Sequence, residues 1–299
     1  MDVIGPAALP RTDAAYAPGD ALDWMAGVEL LSDRPCWVPA AAVHSERGGA
    51  TACGDHQLVG GSNGLCAGNH PVEALVAGLC ELIERDAVAL WHARDLLARA
   101  ACRLDLDSVD DPDCRAVLDR YRAAGVAVQV WDVTSDIGVP VYICDIPPNP
   151  HGHAPFLRRF RGAGCHPAPA AALARALTEA AQSRLNRIVG LRNDLDAEGY
   201  VETSATALGG ALLDAVSDAA APRRFGVAGF ASDDIAAEAR WLLGRLATCG
   251  LDRVAVVDLT RQDIGIPVLR VVVPGLEWDS NHPAYRPGSR AQRAMAGAA

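Results

Sequence analysis

The chain has 299 residues, half of them apolar and about a fifth charged, with a formal net charge of −10. That length can bury a large core, as one big domain or two smaller ones, and the acidic balance speaks against general nucleic-acid binding. Every Lys/Arg-class residue is an arginine, which excludes a Walker A lysine, a pyridoxal Schiff base and a lysine general base.

Residues 1–23 are rich in Ala and Pro and read as an irregular lead-in. From Trp24 to Val43 the pattern is strand, turn, strand, with apolar residues bracketing Ser32-Asp33-Arg34-Pro35. Residues 45–60 read as a polar loop. The stretch from Ser62 to Asp86 then stands out. It opens with a Gly-rich turn, Ser62-Asn63-Gly64 to Gly68-Asn69-His70-Pro71, and continues as a helix with Pro71 in its first turn. At about 100° per residue, Val72, Leu75, Val76, Leu79, Leu82, Ile83 and Leu90 share one stripe. Glu73, Glu81, Glu84 and Arg85 lie on the other side, beside the small residues Ala74, Ala77, Gly78 and Ala89.

Two readings of that helix stand side by side. One is an amphipathic surface helix with solvated glutamates. The other takes Glu81 and Glu84, spaced i,i+3 on a small-residue face, as oxygen ligands for a hard cation shared with phosphates. In that reading the Gly-rich turn offers backbone N–H groups to an anion. Asp86 falls inside the apolar stripe, so it needs a partner, Arg85 or a backbone N–H.

Asp95 to Asp113 is an acidic connection, followed by a helix over Cys114–Ala124 closed by Gly125. Strands Val126–Val133 and Val141–Ile146 flank the turn Asp136-Ile137-Gly138-Val139-Pro140. The same succession returns later: a helix over Glu238–Cys249 closed by Gly250, strand Val254–Leu259, turn Asp263-Ile264-Gly265-Ile266-Pro267, strand Val268–Val273. This internal repeat marks both turns as structural bends. Between the copies, Arg161-Gly162-Ala163-Gly164 leads into a second helix, Ala170–Val189. Its apolar stripe is read as Leu173, Leu177, Ala181, Leu185 and Ile188, with Arg175, Glu179, Gln182, Ser183 and Asn186 opposite. Arg184 leans toward the apolar side, where a buried salt bridge would satisfy it. Residues 191–222 read as a mobile loop or lid, and 280–299 as a flexible tail.

Other chemistries find little support. His151, His153, Cys165 and His166 sit at no standard zinc spacing, and no G-x-S-x-G elbow is present. Nine cysteines without a CxxC pair read as reduced thiols, most of them small core residues. No signal peptide or apolar run of membrane length is visible, so the reading is a cytoplasmic protein without a membrane partner.

The segment SNGLCAGNHPVEALVAGLCELIERDA resembles the signature of the YcaO family, proteins that use ATP to activate backbone amides of peptides. The match lies at Ser62, Asn63, Gly64, Ala67, Gly68, Asn69, Glu73, Ala74, Gly78, Leu79, Glu81, Glu84 and Arg85. The E-A-x-Q-S-R run from Glu179 to Arg184 and the W-x-x-G segment at Trp24 are similar to the family too. The resemblance implies an α+β fold of repeated helix-and-sheet units around one nucleotide cleft, with residues 24–279 as the YcaO-like domain. It implies ATP and Mg2+ as cofactors, Glu81 and Glu84 as metal ligands, and Asn69, Glu73, Arg85, Glu179, Gln182 and Arg184 around the nucleotide; no catalytic residue is assigned. A nucleophile would attack a peptide carbonyl, the resulting oxygen would be phosphorylated, and phosphate would leave. An internal Cys, Ser or Thr nucleophile gives an azoline, and external sulfide gives a thioamide.

The implied partners are a precursor peptide or protein substrate and a TfuA-like or leader-peptide-binding protein; a homodimer is left open. Azoline-forming members often end in a Pro-rich tail, whereas this chain ends GSRAQRAMAGAA, which tilts the expectation toward thioamidation. Full-length members also carry a further unit ahead of the W-x-x-G segment. The expectation is therefore that this chain holds part of the nucleotide site and exposes apolar surface where that unit packs. The rival from another class is a non-catalytic YcaO-like module that binds a leader peptide or partner. A third reading is an α/β protein whose glutamates are merely solvated.

Overall fold

The computed structural model describes residues 2–10, 21–44, 58–148, 158–189, 204–226, 228–278, 280 and 285–297. In chain order the elements are β1 (Trp24–Glu29), β2 (Arg34–Pro39), α1 (Ala40–Val43), β3 (Leu65–Ala67), α2 (Pro71–Ala93), α3 (Leu96–Ala100), β4 (Leu104–Asp105), α4 (Pro112–Ala123), β5 (Gln129–Asp132) and β6 (Val141–Ile146). They continue as β7 (Phe160–Cys165), α5 (Pro169–Ile188), α6 (Ser204–Ala219), β8 (Arg223–Arg224), α7 (Ile235–Thr248), β9 (Ala255–Asp258), β10 (Val268–Val272) and α8 (Ser289–Met295). The mixture is α+β, and the chain divides into one unit of Met1–Ala93 with Phe230–Ala299 and another of Arg94–Gly229.

The Arg94–Gly229 unit carries a three-stranded antiparallel sheet in the order β5-β6-β7. α4 runs into β5, and α5 leaves β7 and packs back across the sheet. Packing is close because β7 is built on glycine: a Cβ on Gly162 would lie 2.2 Å from Ala180 N, and one on Gly164 2.2 Å from Ala172 O. The core here is Leu118, Tyr121, Val130, Tyr142, Cys144, Leu173 and Leu177 with their neighbours, and the Tyr121 hydroxyl donates to the Leu177 carbonyl at 2.7 Å.

The other unit carries a five-stranded sheet in the order β2-β1-β9-β10-β3. Its half β9-β10-β3 is antiparallel like β5-β6-β7; α7 precedes β9, and α2 follows β3 and packs on α7, β3 and β10. The sequence repeat therefore extends to a third strand and a second helix, which in this unit come earlier in the chain. Both turns between the repeated strands are built alike. The Thr134 and Thr260 N–H groups donate to Asp132 and Asp258 at 3.0 and 2.8 Å. The Thr134 and Thr260 hydroxyls accept from Val141 and Val268 N–H, each at 3.1 Å, and Gly138 and Gly265 take φ of +72° and +74°.

Several sequence expectations need correction. The lead-in is only partly irregular: Val3 bridges to Trp37, and Ile4 and Leu9 are buried with Val38, Val43 and Val257. The strand expected over Val126–Val133 is confined to Gln129–Asp132. The Gly-rich runs hold strands, β3 between Gly64 and Gly68 and β7 through Gly162 and Gly164, and an added Cβ at Gly68, Gly162 or Gly164 would strike the helix that follows. Residues 204–219 of the expected lid form α6, which buries Leu213 and Ser217. Asp214 on α6 pairs with Arg159 at 2.5 Å, and Arg159 also reaches the fully buried Asp145 at 3.1 Å. Residues 191–203 of that expectation, with His151 and His153, lie outside the described residues. The tail is not frayed over 285–297: α8 packs on α2 and buries Arg290 and Ala291.

Candidate functional site

The signature helix α2 begins where expected, and its first turn is capped by its own sequence. Glu73 reaches back to accept the Asn69 N–H at 2.8 Å and the Asn69 amide at 3.2 Å, in the manner of a capping box. The His70 ring accepts the Val72 N–H at 3.2 Å. Asn69 and Glu73 are thus brought together at the mouth of the helix, with Asn69 exposed.

Two turns further on, Glu81 is gripped by the Gly-rich segment. The Gly64 N–H donates to its Oε2 at 3.0 Å, and Arg85 Nη2 stands 4.0 Å from its Oε1. Gly64 has φ +80°, and a Cβ there would meet the Val271 carbonyl at 2.4 Å; only glycine lets the turn press this N–H against the carboxylate. Glu84 follows at i+3, half-buried like Glu81 and Arg85. Beneath them lies Arg270 of β10, 1% exposed, which sequence reading passed over as part of an apolar strand. Burial lowers the Arg270 pKa to about 10, and the Glu81 carboxylate is the strongest charge holding it up. An arginine inside V-L-R-V-V was the available signal.

The small-residue face of α2 has a different purpose from the one expected. A Cβ on Gly78 would meet Cys66 Sγ at 2.6 Å and Val271 Cγ2 at 2.8 Å, and Ala74 is fully buried. These positions let the helix press onto β3 and β10; a ligand is not needed to explain them. Asp86 is fully buried and paired, as its place in the stripe required. It accepts from Arg290 Nε and Nη2, each at 2.9 Å, and from the Glu277 N–H at 3.0 Å. The backbone donor was expected; Arg85 is not its partner.

In the Arg94–Gly229 unit, Glu179 and Gln182 are exposed on α5, one turn after the exposed Arg175. Ser183 donates to the Arg161 carbonyl at 2.9 Å, which anchors this face to β7. Arg184 is half-buried and makes no ion pair among the described residues. The buried arginine of this helix is Arg187. The apolar stripe also turns out differently: Ala172, Leu173, Ala176, Leu177 and Ala180 are buried, while Ala181, Leu185 and Ile188 are exposed. Alanines fit against the glycines of β7, and a bulky-residue reading of the wheel gave them too little weight.

Two carboxylates one turn apart, one of them fixed by a backbone N–H, suit Mg2+, which keeps waters and phosphate oxygens in its shell and needs few protein ligands. Among the described residues no group of three or more His, Cys, Asp and Glu side chains gathers into a metal cage. The helix-borne acidic pair and its glycine grip lie on an α+β scaffold.

Residues 2–277 match the model of the YcaO family, described as ATP- and Mg2+-binding cyclodehydratases. The chain belongs to this family, and its cofactors are ATP and Mg2+. A protein from the tfuA 3′ region of Rhizobium leguminosarum bv. trifolii is 32% identical over 280 residues, covering 93% of this chain and 66% of the relative. The chain thus spans about two thirds of that relative's length. The structure of the heterocyclase TruD matches with a TM-score of 0.73 at 26% identity, over 96% of this chain and 42% of TruD. The YcaO protein of Methanopyrus kandleri bound with AMPPCP and Mg2+ matches with a TM-score of 0.67 at 24% identity, over 96% of this chain and 73% of that one; this likeness supports the fold. No helix among the described residues is long and apolar enough to cross a membrane.

Proposed function

We propose that this chain takes part in ATP- and Mg2+-dependent activation of backbone amides in a peptide or protein substrate, with the acidic pair of α2 as its metal anchor. The observation that carries this reading is the Gly64 grip on Glu81 beside Glu84, within the matched signature. Glu81 and Glu84 hold Mg2+ through carboxylate oxygens. Asn69, Glu73 and Arg85, on the same helix and its entry turn, face the nucleotide that this metal carries. Bound there, Mg2+ and ATP supply the phosphoryl group that turns an amide oxygen into a leaving group. The chain's own contribution is positioning and charge neutralisation, and with lysine absent the cationic part falls to guanidinium groups such as Arg85.

Of the two products, a thioamide is favoured, with a TfuA-like partner, because the Rhizobium relative lies in a tfuA 3′ region. Azoline formation is the second reading, supported by the likeness to the heterocyclase TruD. Mass spectrometry of a co-expressed precursor peptide decides between them. Exchange of oxygen for sulfur adds about 16 Da, and dehydrative ring closure by an internal nucleophile removes about 18 Da; an unmodified peptide in the presence of partner, ATP and sulfide overturns both. Glu84→Gln should weaken Mg·ATP binding about tenfold or more, the worth of one charge-assisted contact, with the thermal midpoint unchanged. Equal affinity in titration calorimetry would remove Glu84 from the site.

A further inference from the structure

Behind the Ser62–Gly64 turn lies a small cavity of about 30 Å³ with walls that include Leu58, Leu82 and Trp278. Its polar lining includes Asn63 and Arg270. Asn63 is 7% exposed, and among the described residues neither its Nδ2 nor its Oδ1 has a hydrogen-bond partner. Arg270 is 1% exposed; its Nη1 donates to the Gly61 carbonyl at 2.8 Å, and its Nε has no partner among the described residues. Leaving a buried donor or acceptor unsatisfied costs about 1–3 kcal/mol, so three such atoms around one cavity call for an occupant.

We propose that this cavity is an internal hydration site, in which one or two waters bridge the Asn63 amide and the Arg270 guanidinium and brace the turn that grips Glu81. Size and chemistry agree on water. A polar cavity holds a water when it offers about 10–15 Å³ or more and two to four polar partners; this one offers about 30 Å³ and three. Water accepts from Asn63 Nδ2 and Arg270 Nε and donates to Asn63 Oδ1. A small anion would satisfy the two donors but would face Oδ1 as a second acceptor. The Glu277 carboxylate, part of a residue lining the cavity, and the field of Glu81 on Arg270 also act against an anion. The bracing role follows from the chain: the peptide N–H after Asn63 is the Gly64 N–H that Glu81 accepts. Asn63 is therefore a positioning residue. This second part rests on the reading of Glu81 as metal ligand, whereas the hydration site does not.

The test is a high-resolution crystal structure of the whole chain, with parallel crystals grown in bromide. Ordered water bonded to both Asn63 and Arg270 Nε, with no bromide anomalous peak, is the expected result; a dry cavity or a bromide peak overturns the site. In Asn63→Leu, with Asn63→Ala as the smaller alternative, the Gly64–Glu81 hydrogen bond should be lost from the crystal structure. Mg·ATP affinity should fall about tenfold, the worth of one hydrogen bond, while the thermal midpoint is kept or raised. Retention of that hydrogen bond in the variant overturns the bracing role. Wild-type protein that binds no Mg·ATP would refute the proposed function alone, since the hydration site is decided by the crystals.

Discussion

Glu29 shows how the sheet of the first unit uses a buried charge. It is 3% exposed, yet it accepts from Leu31 N–H, Ser32 N–H, Ser32 hydroxyl and Val254 N–H. Burial pushes its pKa up, but the four donors together outweigh that, so its carboxyl titrates below the ordinary value of 4.5. A lowered carboxylate stabilises the fold above the unfolded pKa and loses that contribution as pH falls through the folded one. Glu29→Gln should therefore be less stable than wild type at pH 7, and the gap should close below about pH 4; urea melts at both pH values check this, and a gap independent of pH would contradict it. The Asp86–Arg290 pair carries a larger stake. Removing one partner of a buried pair leaves an uncompensated charge and costs about 3–5 kcal/mol, so Arg290→Leu should lower the urea midpoint by that equivalent. The need for a partner at Asp86 was legible from the apolar stripe. Its identity was not, because Arg290 lies 204 residues further along the chain.

At the scale of elements, two helix glycines make opposite predictions. Gly78 in α2 faces Cys66 and Val271, and an added methyl would collide with them. Gly244 in α7 has nothing within 4 Å of where a Cβ would stand. Gly244→Ala should stabilise the protein by about 1 kcal/mol through helix propensity. Gly78→Ala should cost about 1–3 kcal/mol through overpacking despite the same propensity gain. Thermal melts of the two variants side by side provide the check, and a common sign would refute the packing argument. Helix placement was largely readable from periodicity and from glycine stops, as α4 and α7 end at Gly125 and Gly250. The buried face of α5 was not readable, because alanine gives periodicity little contrast and only the glycines of β7 reveal which alanines are pressed inward.

At the scale of the molecule, the repeat compares one turn in two settings. In the first copy Ile137 and Val139 are 0% and 1% exposed; in the second Ile264 and Ile266 are 59% and 54% exposed. The Asp and Thr bonds that frame the turn are the same in both, so the difference in burial belongs to surroundings. Ile137→Ala should cost about 2–5 kcal/mol, as buried large-to-small changes do, and Ile264→Ala should stay within about 0.5 kcal/mol, as for surface changes. Chemical denaturation of the two variants measures this, and equal costs would contradict the difference in burial.

By itself the sequence determined the family, through thirteen matched positions around one helix, together with the α+β character, the repeat and the acidic pair. Those features are local or periodic, set by residue type, spacing and turn chemistry within one window of chain. Tertiary structure alone decided that α8 locks onto α2 through Arg290, that residues 204–219 form a packed helix, that the small face of α2 meets strands, and that Asn63 and Arg270 share a cavity. Each of these joins residues far apart in the chain, and burial, unlike propensity, is a property of what arrives from elsewhere.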